Sequence, residues 1–116
     1  LEESSRKDML FEVLMARFDI LNIYRISVKK IIKYFLSNPH KAIKLLPSFI
    51  ESIILMATLS NIEVNGIKGA SKIKIIFGLY ILVIYTWKED ETESLEKTMT
   101  SLDKYLNNLD KYFNII

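Results

Sequence analysis

Cysteine is absent from this 116-residue chain. That excludes a disulfide framework, a thiolate metal site and a thiol nucleophile, and it fits the cytoplasm. Histidine occurs once, as His40 beside Pro39, where a solvated turn residue is the expectation rather than a general base. No HExxH, phosphate-binding glycine loop or dinucleotide fingerprint is present, and Gly66 and Gly69 are only two glycines three apart. The acids Glu89, Asp90 and Glu91 cluster without histidine or cysteine partners. They are a poor transition-metal site, and at a wet turn between helices their expected roles are capping and solubility. The chain is therefore expected to have no catalytic residue, no metal and no cofactor, and not to be an enzyme. Arginine occurs only three times, and no recognition helix with base-reading Arg or Asn side chains is found. Lysines alone give only salt-sensitive, non-specific contact with nucleic acid, so no nucleic-acid partner is expected for this domain by itself.

A membrane span is missing too. The longest uncharged run, Ile75 to Trp87, is bounded by Lys74 and Lys88, and crossing hydrocarbon takes about 20 apolar residues. No signal-peptide pattern opens the sequence. A helix apolar on all sides belongs inside a core, so this segment is expected to be central and engulfed, while the polar stretch before it, Lys68 to Lys74, reaches solvent.

Half of the residues are hydrophobic, enough for a core, and the length suits one domain. The net charge of +2 is unevenly laid out: residues 25–88 are strongly basic, and both flanks are acidic. A basic middle can meet phosphates or anionic headgroups. The plainer reading is the solvated faces of amphipathic helices.

Helical spacing recurs almost everywhere, and no trustworthy period-2 alternation appears. A first helix is expected after Ser4 or Ser5, with a weak capping box from Ser5 to Asp8. It buries Leu10, Leu14, Phe18 and Leu21 and breaks near Asn22. A second runs from about Tyr24 to Leu36, with Val28, Ile31, Ile32, Phe35 and Leu36 as its buried stripe. Asn38 suits an N-cap and Pro39 a first helical position, giving a short helix at 39–46. Pro47 forces a kink or restart. The helix beyond it reaches about Asn61, with Phe49, Ile53, Ile54 and Met56 inward. Asn65-Gly66 closes a loop, and a fifth helix spans roughly 67–89. Asp90 or Thr92 can cap the last helix. Its residues Leu95, Met99, Leu102, Leu106, Leu109 and Phe113 form an a/d seam, simplest as an antiparallel hairpin with the fifth helix.

Several segments resemble one family. Met9-Leu-Phe-Glu-Val-Leu-Met-Ala-Arg-Phe-Asp-Ile-Leu21, Tyr24-Arg25, Asn38-Pro39 and Leu45-Leu-Pro47 are similar to bacterial members of the ubiquinone-biosynthesis accessory lipid-binding family. So are Asn65-Gly-Ile-Lys-Gly-Ala70, Trp87-Lys-Glu-Asp90 and Glu96-Lys-Thr-Met-Thr-Ser-Leu-Asp103. The resemblance covers nearly the whole chain in short matches. It implies the all-α C-terminal domain of a TetR-like fold, about six helices over residues 1–116, without the helix-turn-helix-like N-terminal domain of such proteins. It also implies a non-catalytic cytoplasmic protein, with peripheral contact at the inner face of the membrane. Such a protein binds an isoprenoid lipid or ubiquinone precursor and presents it to a partner hydroxylase.

In TetR-like folds the last two helices form a homodimer interface, so the resemblance assigns Leu95, Met99, Leu102, Leu106, Leu109 and Phe113 to one. Eukaryotic members carry an aromatic pair where this chain has Gly69-Ala70, which departs from their partner-facing surface. With the apolar surplus of the fifth helix, the expected pocket residues are Phe18, Leu21, Phe49, Ile53, Met56, Phe77, Tyr80, Ile81 and Ile84. Two other readings share the fold: the effector-binding and dimerisation domain of a TetR-family transcriptional regulator, and a purely structural dimerising module.

Overall fold

The computed structural model describes the backbone of residues 2–113 and the side chains of residues 6–111. Among the described residues the chain is all helical, with six helices: α1 (Glu2–Ile23), α2 (Arg25–Ser37), α3 (Pro39–Lys44), α4 (Leu46–Leu59), α5 (Gly66–Glu89) and α6 (Glu96–Phe113). No helix among them is long and apolar enough to cross a membrane.

The boundaries follow local chemistry. Pro39 opens α3 and Pro47 sits in the first turn of α4, positions where a missing N–H costs no helical bond. The chain therefore stops and restarts at Leu45 instead of bending. Asn38 does not cap α3 with its side chain. Its Nδ2 instead donates to the carbonyl of Tyr34, 2.9 Å away, closing the end of α2. Helix α1 is under way at Glu2, so Ser5 lies inside it and the expected capping box does not start it.

Four helices make the core. α1 contributes Leu10, Leu14 and Phe18, and α4 contributes Ile53, Met56 and Ala57. α5 supplies Ile73, Ile76, Leu79, Tyr80, Val83 and Trp87, and Leu102 and Leu106 come from α6. α5 packs on α6 and α4, and α1 bridges α4 and α6.

The seam closes within the chain. Leu95, Leu102 and Leu106 are 2%, 0% and 1% exposed in the single subunit, so these three have no surface left for a partner. Their assignment to a dimer interface is corrected to an intrachain core. Met99, at 38% exposed, faces outward, and Leu109 is half-buried. The side chain of Phe113 lies outside the described residues.

Three further expectations are corrected. The uncharged run is not engulfed: Leu82 and Tyr85 are 49% and 48% exposed, because α5 has neighbours on only part of its circumference. No residue of α2 is fully buried, and Ile31 and Leu36 are exposed. Ile54 also points outward from α4.

Two contacts tie the start of α2 to the end of α5. The Arg25 guanidinium lies over the Trp87 ring, 4.8 Å from its centroid, and donates to the Lys88 carbonyl at 3.0 Å. A cation is thereby held at the C-terminus of α5, where the helix dipole favours it.

The turn between α5 and α6 is built on Asp90, which is buried rather than wet. One carboxylate oxygen accepts from the Thr92 amide and hydroxyl. The other accepts from the Thr98 amide at 2.7 Å and hydroxyl at 2.8 Å. Thr92 Oγ1 in turn accepts from the Glu96 amide. Asp90 and Thr92 therefore cap α6 jointly, each satisfying an orphan amide of its first turn. Leu95 immediately before α6 adopts a left-handed conformation (φ 55°), and its buried side chain holds that turn against the core.

Burial alone would raise the Asp90 pKa, but the hydrogen bonds from Thr92 and Thr98 outweigh it and lower the pKa to about 2. Because the folded value lies below the unfolded one, this contribution is complete above about pH 4. It is lost as pH falls from about 4 towards 2. Asp90→Ala is expected to cost about 2 kcal/mol at neutral pH. In urea unfolding, the gap between variant and parent should shrink across that acid window. A constant gap would show that the carboxylate charge contributes nothing to the turn.

Candidate ligand-binding groove

α2 and α3 stand off from the four-helix core, and the space between is a groove of about 710 Å³, open to solvent. Ligand pockets of drug-sized molecules span about 300–1,000 Å³. One wall is Ile32, Phe35 and Leu36 of α2 with Pro39 and Ala42 of α3. Leu45 and Leu46 lie at the α3–α4 junction. The opposite wall is Phe49 of α4 with Phe77, Ile81 and Ile84 of α5. Of the apolar stripe of α2, Ile32, Phe35 and Leu36 line the groove, and Val28 and Ile32 pack half-buried against the core.

The inner side of the groove rests on interlocked aromatic rings. Phe49 meets Phe77 edge-on with centroids 5.3 Å apart, and Tyr80 at 5.4 Å. Tyr80 in turn packs on Phe18 at 5.2 Å. Such tilted and edge-to-face pairs are favourable and geometrically specific.

One charged residue enters this lining. Arg17 of α1 donates from Nη2 to Ser52 Oγ at 2.6 Å, and both residues border the groove. Burial pushes the Tyr80 hydroxyl pKa up, with the charge of Arg17 acting in the opposite direction. Arg17, Ser52 and Tyr80 therefore form one polar cluster against an otherwise greasy wall. Ser48 and Tyr85 are the other polar side chains on the border.

Of the nine expected pocket residues, Phe49, Phe77, Ile81 and Ile84 line the groove. Phe18, Ile53, Met56 and Tyr80 lie behind it as fully buried core, and Leu21 is packed against that core half-buried. Sequence reasoning misses the contributions of α2, α3 and Arg17. The signal for them is thin: the apolar stripe of α2 is joined to a helix too short to shelter it, and an arginine stands beside Phe18. His40 is exposed on α3, and Glu89 and Glu91 are exposed beside the buried Asp90. Among the described residues no cluster of His, Cys, Asp and Glu could hold a metal ion.

No family model, curated protein or solved structure matches this chain.

Proposed function

We propose that the domain is a non-catalytic carrier of a lipid, in which the α2–α5 groove takes the hydrophobic part of an isoprenoid lipid such as a ubiquinone precursor. The observation that carries the reading is the groove itself: about 710 Å³, walled by aliphatic and aromatic side chains. The groove lies outside the packed four-helix core and opens to solvent, so its apolar walls are surface that the core does not cover. Part of the lining, Ile32, Phe35 and Leu36, comes from a helix with no fully buried residue, so a ligand would cover apolar surface that the fold itself does not.

The resemblance to the ubiquinone accessory family adds the role of presenting a late precursor to a partner hydroxylase, and a cytoplasmic site at the membrane face. Exposed apolar residues such as Ile20, Ile23, Ile26 and Leu82 would suit a membrane or protein neighbour. A homodimer through α5 and α6 would use their outward residues Leu82, Tyr85 and Met99.

Native mass spectrometry of gently purified protein tests the reading. The expected spectrum contains a one-to-one adduct, or acquires one on addition of ubiquinone or a prenylated precursor. Ala42→Trp, which obstructs the groove from α3, should remove the adduct while leaving the fold intact. Bare protein under all conditions would sink the proposal. An effector site of a transcriptional regulator would use the same groove. Salt-titrated DNA binding by the full-length protein separates the two.

A further inference from the structure

We propose that Arg17 is the headgroup anchor of the groove, and that the preferred ligand is a single-tailed amphiphile whose head carries an anionic oxygen. This rests on the lipid-carrier reading and narrows it.

Charge sets Arg17 apart from its surroundings. It is only partly exposed, and among the described residues it has no carboxylate at ion-pair distance; its side-chain hydrogen bond goes to the neutral hydroxyl of Ser52, and its charge acts on the buried Tyr80 hydroxyl. A guanidinium offers five N–H donors in a planar fork. A single hydroxyl acceptor leaves most of that fork unused, and a half-buried cation without a counter-ion is unfavourable. Arg25 is treated differently: it reaches Asn22, the Lys88 carbonyl and, at 3.8 Å, Glu91. At Arg17 the neighbouring surface is instead the apolar wall of Phe49, Phe77 and Ile81.

A ligand with an anionic oxygen would complete the fork through charge-assisted hydrogen bonds, which are shorter and stronger than neutral ones. Its tail would run along the wall away from the cluster. Ser52 holds the guanidinium in place, so little side-chain freedom is lost on binding.

The test compares dodecanoic acid with dodecanol, ligands of equal tail and different head, by calorimetric titration below their aggregation limits at a pH where the acid is ionised. The parent protein should bind the carboxylate at least about tenfold more tightly. Arg17→Met should abolish that preference while leaving dodecanol binding within about twofold of the parent, and Arg17→Lys should retain part of it. Equal binding of acid and alcohol by the parent would overturn the anchor and leave the apolar groove standing. A preference that survives in Arg17→Met would also overturn it. Failure of both ligands to bind the parent would overturn the anchor and the lipid-carrier reading together. The parent comparison needs no variant, so a misfolded substitution would not rescue the proposal.

Discussion

Gly69→Ala is expected to destabilise the domain by about 2–3 kcal/mol, although alanine is the better helix former by about 1 kcal/mol. A Cβ at residue 69 would sit 2.1 Å from the carbonyl carbon of Val64 and 2.4 Å from its oxygen. These are backbone atoms of the loop that leads into α5, and they cannot swing aside as a side-chain tip can. The loop itself is pinned, since Ile62 is buried and its amide bonds back to Ala57. Either the helix start or the loop must move.

Gly78 supplies the control. It is exposed in the middle of the same helix, and a Cβ there meets nothing within 4 Å. Gly78→Ala should therefore stabilise by up to about 1 kcal/mol. Denaturant unfolding of the two variants should move in opposite directions. A Gly69→Ala protein as stable as Gly78→Ala would contradict the close crossing of loop and helix.

Leu102→Asp is expected to unfold the chain, not to release a folded subunit from a dimer. Leu102 is fully buried against the chain's own helices, and an unpaired carboxylate there costs several kcal/mol. Total stabilities of domains are about 5–15 kcal/mol, so most of the margin would go. Met99→Asp, one helical turn earlier on the outward side, should change stability by about 0.5 kcal/mol at most. Circular dichroism with sedimentation distinguishes the outcomes. Loss of helicity in Leu102→Asp supports the intrachain seam, and a helical monomer derived from a parent dimer would refute it.

These two residues also show what the sequence could and could not convey. The 4-3-4-3-4 spacing from Leu95 to Phe113 identifies the seam of α6, but spacing is silent on whether the surface it meets belongs to the same chain. Prolines at 39 and 47 locate the α3 and α4 starts, because a missing N–H restricts position locally. Composition places the uncharged run wholly inside because it counts apolar residues without revealing how many neighbours surround them; α5 leaves Leu82 and Tyr85 outside. The α5 wall of the groove is legible in Phe77, Ile81 and Ile84. The α2–α3 wall is not, since Ile32, Phe35 and Leu36 have the same periodicity whether a helix packs tightly or stands off. Arg17 is hidden for a related reason: its partners Ser52 and Tyr80 are distant in sequence, and only the tertiary fold brings them to it.

The functional reading stands or falls with the groove between α2 and α5, and isoleucine methyl NMR tests it most directly. With the isoleucines methyl-labelled, titration of a soluble short-tailed prenyl quinone should shift Ile32, Ile81 and Ile84, which line the groove. Ile62, Ile73 and Ile76, buried elsewhere in the core, should stay within a small fraction of those shifts. Shifts confined to exposed Ile26, Ile43 and Ile67, or no shifts at saturating ligand, would contradict a lipid site between α2 and α5.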